Sequence, residues 1–434
     1  MRIWDEKMET LSGTSLEELR LGRLRATLER IWDAGVPYRS RMEEAGLAPS
    51  AVKGMEDLER LPFSLKKDFK DCYPLGMLAV PPELVVRFHA SSGTTGSRTL
   101  VAYTAGDLDN WTELVARFAT AAGVVSSDVA QISFTYGLFT GGFGLHYGLE
   151  RIGAAVVPAS GGNTDLQLSL ISELKSTVLV GTPTYALHLL EEGTSRAFDF
   201  KGSTLRLGLF GAEPWSEGIR ARLEDGMGIS ATDNYGLSEV LGPGVSGECE
   251  LKDGMHISED HFIAEVVDPA TGNALPDGEQ GELVLTTLTR EAMPVIRFRT
   301  GDLTVIDRNP CGCGRKNARM GKVLGRTDDM LIIRGVNVYP SQVERTLLEI
   351  EGIEPHYFLV VDRERELDML EVWVEVSDEV FSDDTRDMKR FAGQVEARLK
   401  AALNVRARVS LKEPRTLERA VGKANRILDR RDAE

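Results

Sequence analysis

The scarcities in this chain of 434 residues narrow its chemistry before any motif is read. Cysteine occurs only four times, at 72, 249, 311 and 313, too sparsely for a disulfide scaffold at this length. No run of about 18 apolar residues occurs, so no membrane-spanning helix is expected. Basic residues are outnumbered: 51 Lys and Arg against 67 Asp and Glu leave a net charge of -16. That balance argues against non-specific nucleic-acid binding and against anchoring on anionic lipid. Met1-Arg2-Ile3-Trp4-Asp5-Glu6-Lys7 carries charges where a secretory leader needs an apolar core, so the expected compartment is the cytoplasm. The string Gly, four residues, Gly-Lys-Ser/Thr is also missing, which excludes the Walker phosphate loop.

What is present points to a soluble globular protein of two or three domains, with 42% hydrophobic and 27% charged residues. Leu19, Leu21, Leu24, Leu28 and Ile31 recur at helical spacing and predict a helical stretch between Leu16 and Leu47. Leu61 to Phe69 reads as a turn entering a short helix, with Ser64 as its N-cap. From Ala105 onward a helix and then short apolar runs (Val129 to Phe134, Ala154 to Pro158, Thr177 to Val180, Leu205 to Phe210) alternate with amphipathic segments. This is the pattern of parallel βαβ units and predicts a layered α/β core up to about residue 230. In such sheets ligands sit beyond the carboxyl ends of the strands. Residues from about 248 to 325 read as a β-rich subdomain with Pro-Asp-Gly and Asp-Pro-Ala-Thr-Gly turns. A small α+β domain is expected from Asp329, where Leu370, Val372, Val374 and Val376 alternate with polar residues, and Met388, Phe391, Val395 and Leu399 mark a helix. The expected domains are therefore 1–328 and 329–434.

Four strings carry chemistry. Ser91-Ser92-Gly93-Thr94-Thr95-Gly96-Ser97 lies between two strand-like runs, Leu84 to Phe88 and Thr99 to Tyr103. It offers a hairpin loop whose N–H and O–H donors suit phosphate oxygens. Asp233-Asn234-Tyr235-Gly236-Leu237-Ser238-Glu239 places an aromatic ring for a base beside a hydroxyl for a phosphate and a carboxylate for a hard Mg²⁺ ion. Phe298-Arg299-Thr300-Gly301-Asp302 offers a carboxylate for two ribose hydroxyls. The last runs from Leu324-Gly325-Arg326-Thr327-Asp328-Asp329-Met330 to Ile333-Arg334-Gly335-Val336-Asn337-Val338-Tyr339-Pro340.

With all four in this order, and with Tyr136-Gly137-Leu138-Phe139-Thr140-Gly141-Gly142 and Gly422-Lys423-Ala424, the chain resembles the phenylacetate–CoA ligase family of the adenylate-forming superfamily. The resemblance implies an ATP-dependent carboxylate–CoA ligase that passes through an acyl-adenylate. It implies that Ser91, Ser92, Gly93, Thr94, Thr95 and Gly96 hold the departing phosphates. Asp233, Asn234, Tyr235 and Gly236 with Gly211, Ala212 and Glu213 would receive adenine, Ser238 the α-phosphate or acyl carboxylate, and Glu239 the Mg²⁺. Asp302 and Arg326 would hold the ribose, Asp328 would be the hinge, Gly335 would line the CoA arm, and Lys423 would enter for adenylation. Where the family loop continues with Lys-Pro, this chain has Ser97-Arg98. Tyr136, Phe139, Gly141 and Phe143 would wall an acyl pocket whose aromatic rings and glycines suit an aryl or arylacetic acid.

The cysteines then form a set: Cys249, His256, Cys311 and Cys313 supply the ligands of a closed, structural Zn²⁺ site. Expected partners are thus a small carboxylic acid, ATP and CoA, with Mg²⁺ and Zn²⁺ as ions and a second copy in a homodimer. An acceptor other than CoA, such as a carrier-protein arm or an amine, is the alternative enzyme reading. A non-catalytic nucleotide-binding regulator is the non-enzyme one.

Overall fold

The structure is a computed structural model, and it describes residues 2–91, 99–364, 367–382, 384–418 and 426–431. The loop residues Ser92, Gly93, Thr94, Thr95 and Gly96, the Ser97-Arg98 pair and Lys423 lie outside the described residues.

The chain opens with helices α1 (Glu6–Glu9), α2 (Gly13–Ala34), α3 (Tyr38–Glu44) and α4 (Lys66–Asp71). The helical stretch expected between Leu16 and Leu47 is broken in two, because Gly35 takes the left-handed conformation at φ 67° and returns its N–H to the Trp32 carbonyl. Both pieces still bury one face: Leu24, Leu28 and Ile31 pack with Tyr38, Met42 and Ile296. Ser64 is not the cap of α4. Its hydroxyl donates to the Ile296 carbonyl at 2.8 Å, and the Asp68 carboxylate caps the helix by accepting the Leu65 N–H at 2.7 Å.

Strands β1 (Val85–Ala90) and β2 (Leu100–Thr104) pair antiparallel, so the Ser91 to Thr99 connection does close a hairpin. There follow α5 (Ala105–Ala121), β3 (Val129–Ile132), α6 (Thr140–Ile152), β4 (Ala155–Val157), α7 (Thr164–Glu173), β5 (Val178–Gly181), α8 (Pro183–Ser195), β6 (Leu207–Gly211), α9 (Glu217–Met227) and β7 (Ser230–Leu237). The strands among these are parallel in the order β4-β3-β5-β6-β7, the expected βαβ core.

Next come β8 (Gly242–Glu248), β9 (Met255–Ile257), β10 (Phe262–Val267), β11 (Gly281–Thr287), β12 (Phe298–Thr304), β13 (Ile306–Asp307) and β14 (Arg319–Met320). They do not form one β-rich lobe. β8, β9, β14 and β13 extend the parallel sheet beyond β7 as an antiparallel edge, whereas β10, β11 and β12 pair in a separate sheet. The hydrophobic pattern could not separate the two groups, since both bury nearly every residue.

The remaining elements are β15 (Gly325–Arg326), β16 (Leu331–Ile333), β17 (Val336–Val338), α10 (Pro340–Leu348), β18 (Ile353–Glu364), β19 (Leu367–Val376), α11 (Thr385–Leu403), β20 (Ala407–Lys412) and β21 (Ile427–Asp429). Here the alternation held: Leu370, Val372, Val374 and Val376 are wholly buried against Val395 and Leu399 of α11. The sheet order is β20-β19-β18-β21. Leu331 to Val338 folds as a hairpin with a two-residue turn, because Arg334 and Gly335 both take positive φ.

By packing, the chain divides into two compact units: Met1–Thr182 with Asp199–Ala212 and Gly228–Lys322, and Pro183–Phe198 with Glu213–Met227 and Val323–Glu434. The second therefore gathers α8 and α9 as well as the C-terminal elements, while the division expected at 328/329 follows chain order alone. No described helix is long and apolar enough to cross a membrane.

Inside the first unit a buried charge cluster ties α5 to the turn before β10. Arg117 donates to Asp260 at 2.7 and 3.2 Å and to Asp5 at 3.1 Å, and the His261 ring lies 3.2 Å from Asp260. Burial opposes ionisation of Asp260, but His261 and Arg117 outweigh it and hold the carboxyl well below its ordinary value. A carboxyl depressed in the folded state adds stability above its unfolded value of about 4, and that stability fades as pH falls through the folded value. Asp260→Asn, which leaves Arg117 buried without its partner, is expected to cost about 3–5 kcal/mol at pH 7 in urea denaturation. The gap from the parent should shrink below about pH 4. A pH-independent gap would contradict the assignment.

Candidate functional site

The carboxyl ends of β6 and β7 form the centre of the site. Their parallel register sets Phe210 beside Asp233 and Gly211 beside Asn234, and the Asn234 amide donates to the Phe210 carbonyl at 2.6 Å. So close is this approach that a Cβ on Gly211 would stand 2.4 Å from the Asn234 carbonyl oxygen. On the other side β7 and β8 slip register between Tyr235 and Gly236, where a Cβ on Gly236 would meet the Gly242 carbonyl at 1.9 Å. Ala212 then turns away at φ 71°. The result is a ledge of strand ends on which Asp233, Asn234 and Tyr235 follow one another.

Asp302 reaches the same ledge from β12. Between Leu303 and Arg299 that strand carries three residues opposite the single Leu283 of β11, so Thr300-Gly301-Asp302 bulges outward. Glu282, which belongs to no motif, and Thr300 of the motif itself fasten the bulge. The Glu282 carboxylate accepts the Gly301 N–H at 3.1 Å, and the Thr300 hydroxyl bonds the Leu283 carbonyl at 2.8 Å. The bulged carboxylate accepts the Tyr235 hydroxyl at 2.5 Å, joining two motifs 67 residues apart. Glu248 of β8 accepts the Asp233 N–H at 2.8 Å. Sequence reasoning passed over Glu248 and Glu282, and nothing local distinguishes them from other strand residues.

After β7 the chain turns sharply. The Ser238 hydroxyl lies 3.1 Å from that of Thr140, the first residue of α6. Glu239 is only 6% exposed. A carboxylate at this place suits a hard divalent cation such as Mg²⁺.

The aromatic residues expected to line an acyl pocket do cluster. Tyr136 meets Phe143 edge-on at 5.2 Å, Phe143 stacks on Tyr147 at 6.2 Å, and Phe139 tilts against Phe134 at 5.9 Å. The Tyr136 hydroxyl is 3.0 Å from His146 Nδ1. Gly141 and Gly142 of this segment are closely covered. Phe139 covers Gly141 at 2.4 Å from a notional Cβ, and the Thr135 carbonyl and the Tyr136 ring close over Gly142.

In the second unit, Glu213 accepts the Thr184 N–H at 2.7 Å. Arg326, at the end of β15, donates to both carboxylate oxygens of the exposed Asp328, at 2.7 and 2.9 Å. Gly335 occupies the tip of the β16–β17 hairpin with nothing within 4 Å of a notional Cβ.

Cys249, His256, Cys311 and Cys313, all buried, place their ligand atoms within 4.8 Å of one another. Burial pushes the Cys249 thiol up to about 12 and the His256 imidazole down to about 4. Burial also opposes the Cys313 thiolate, but the Arg315 backbone and guanidinium outweigh it and hold that thiol below its ordinary value.

A family profile described as AMP-binding enzyme matches residues 49–288, and one described as AMP-binding enzyme C-terminal domain matches 335–431. Phenylacetate-coenzyme A ligases from Thermus thermophilus and Escherichia coli are 46% and 45% identical, over 99% and 98% of this chain and 100% and 98% of their own. Among solved structures, 2-hydroxyisobutyryl-CoA ligase in the postadenylation state with 2-HIB-AMP gives a TM-score of 0.92 at 30% identity, covering 99% of this chain and 92% of that one. With 2-HIB-AMP and CoA in the thioesterification state it gives 0.73 at 30%, covering 100% and 93%.

The contact at Gly236 is directly testable. Gly236→Ala must force β8 away from β7 and is expected to cost about 1–3 kcal/mol in urea denaturation. Gly393→Ala, in the open on α11, is expected to gain about 0.5–1 kcal/mol. Equal effects at the two sites would refute the close-approach argument.

Proposed function

From the premise that this chain belongs to the phenylacetate–CoA ligase family of the AMP-binding enzymes, we propose that it activates an arylacetic acid, with phenylacetate the first to test. The chemistry is that of an ATP-dependent acid–thiol ligase working through an acyl-adenylate. A carboxylate oxygen of the acid attacks the α-phosphorus of ATP, the bond to the β-phosphate breaks, and pyrophosphate departs. The CoA sulfur then attacks the acyl carbon, and AMP leaves with the electrons of the C–O bond.

The hydrogen bond from Tyr235 to Asp302 carries the assignment of residues, since it unites on one ledge the aromatic ring for a base and the carboxylate for a ribose. In this reading Asp233, Asn234, Gly211, Ala212 and Glu213 border the adenine, and Tyr235 stacks on it while orienting Asp302 toward the ribose hydroxyls. Arg326 supports the same sugar. Ser238 positions the α-phosphate or the acyl carboxylate, and Glu239 holds Mg²⁺, which offsets the negative charge gathering on the phosphates. Ser91 to Gly96 cradle the departing pyrophosphate, and Lys423 neutralises charge at the attacking carboxylate. Movement about Asp328 exchanges Lys423 for the thiol path beside Gly335. The rings of Tyr136, Phe139 and Phe143 favour an aromatic acyl group over a long aliphatic chain. We place the reaction in the cytoplasm, where ATP and CoA are both supplied. Zn²⁺ enters this reading as a structural ion only.

Pyrophosphate release measured across phenylacetate, hydroxyphenylacetates, indoleacetate, benzoates and short aliphatic acids, with CoA present, is expected to single out an arylacetate. Preference for a short aliphatic acid would overturn the substrate assignment. Lys423→Ala is expected to lower acid-dependent ATP–pyrophosphate exchange by about 100-fold or more while sparing thioester formation from supplied acyl-adenylate. Undiminished exchange would remove Lys423 from the first step. Tyr235→Phe is expected to weaken ATP binding by about 5- to 30-fold through loss of one charge-assisted hydrogen bond, read by calorimetric titration.

A further inference from the structure

Four buried side chains able to ligate a metal, Cys249, His256, Cys311 and Cys313, have no part in the ligation reaction as assigned. Their spacing in the chain is irregular, with six residues between Cys249 and His256 and one between Cys311 and Cys313. The sheet explains how they meet. Cys249 directly follows β8, His256 lies on β9, and the loop joining β13 to β14 carries Cys311 and Cys313. Since β8, β9 and β14 are neighbours in the sheet, with Gly247 opposite His256 and His256 opposite Arg319, three strands deliver all four side chains to one end of this edge.

The spacing of the atoms is that of a coordination shell. A tetrahedral zinc ion with bonds of about 2.3 Å to sulfur and about 2.0 Å to nitrogen separates two sulfurs by roughly 3.8 Å, and a sulfur from a nitrogen by roughly 3.5 Å. Cys249 Sγ lies 3.9 Å from Cys311 Sγ, and Cys313 Sγ lies 3.3 Å from His256 Nε2. A disulfide would need sulfurs about 2.05 Å apart, and all four cysteines of the chain are free thiols. Three thiolates around a divalent ion leave one negative charge in a buried place. The Arg315 guanidinium, 1% exposed at its side chain, stands two residues from Cys313. It also pairs with the Glu9 carboxylate and donates to the Arg2 carbonyl at 2.7 Å. The Lys316 N–H reaches the Glu9 carbonyl at 3.0 Å.

We propose that Cys249, His256, Cys311 and Cys313 bind one zinc ion in a closed tetrahedron that rivets the β13–β14 loop to the end of β8 and, through Arg315, secures helix α1. Each cysteine gives up its thiol proton to solvent as its sulfur–zinc bond forms. With every position filled by the protein, the ion has no place for a substrate and acts as a brace. It also stands behind the nucleotide ledge, because Glu248, which accepts the Asp233 N–H, immediately precedes Cys249.

The test uses the full chain purified without chelator. Elemental analysis is expected to find about one zinc per chain, retained in Cys72→Ser and lost in Cys249→Ser and Cys313→Ser. So that a loss of folding in those two variants does not decide the question, the parent chain supplies an independent reading. Exchange into Co²⁺ is expected to give a thiolate-to-cobalt charge-transfer band with the intense visible bands of tetrahedral coordination. Release of zinc by a mercurial reagent is expected to lower the unfolding temperature. A parent chain without zinc that also yields no tetrahedral cobalt spectrum would overturn the proposal, as would a Cys249–Cys311 disulfide found by mass spectrometry.

Discussion

Strand β7 lies between neighbours that tolerate no side chain at two points. At Gly211 the limit is the Asn234 carbonyl, and at Gly236 it is the carbonyl of Gly242. Those two backbone contacts set how far β6 and β8 approach, and therefore where Asp233, Asn234 and Tyr235 come to rest. The Tyr235 hydroxyl then meets Asp302 only because β12 bulges opposite Leu283. Widening either contact by the volume of one methyl group would shift the ledge by a distance comparable to a hydrogen bond's tolerance.

Around this ledge the first unit buries charge on a scale that only mutual pairing permits. Arg117, Asp260 and His261 form one cluster, Arg297 and Glu265 another, and Arg315 with Glu9 a third. Each guanidinium is desolvated and each is matched, so these groups fix positions more than they add net stability. Glu239 is buried as well, at 6% exposure.

Much of the architecture was legible in the residues. The alternation of apolar runs with amphipathic segments foretold the parallel strands β3 to β6, though not β7, and the alternation from Leu370 to Val376 foretold a strand that packs on α11. The motifs for nucleotide and acid were contiguous strings, and the family followed from their order. Other readings failed for identifiable reasons. Gly35 broke an uninterrupted helical period. Ser64, a good cap by type, was drawn to the Ile296 carbonyl from a distant strand.

The sequence by itself determined which chemical groups are available and the local periods of helix and strand, because both depend on residues within a few positions of one another. Only the tertiary structure decided that the strands after residue 242 divide between two sheets, that Glu248 and Glu282 fasten the ledge, and that four scattered cysteine and histidine side chains meet at one sheet edge. Those outcomes rest on strand pairing and register between segments tens of residues apart. Such pairing is settled by the closure of the whole backbone, to which no local string holds the key.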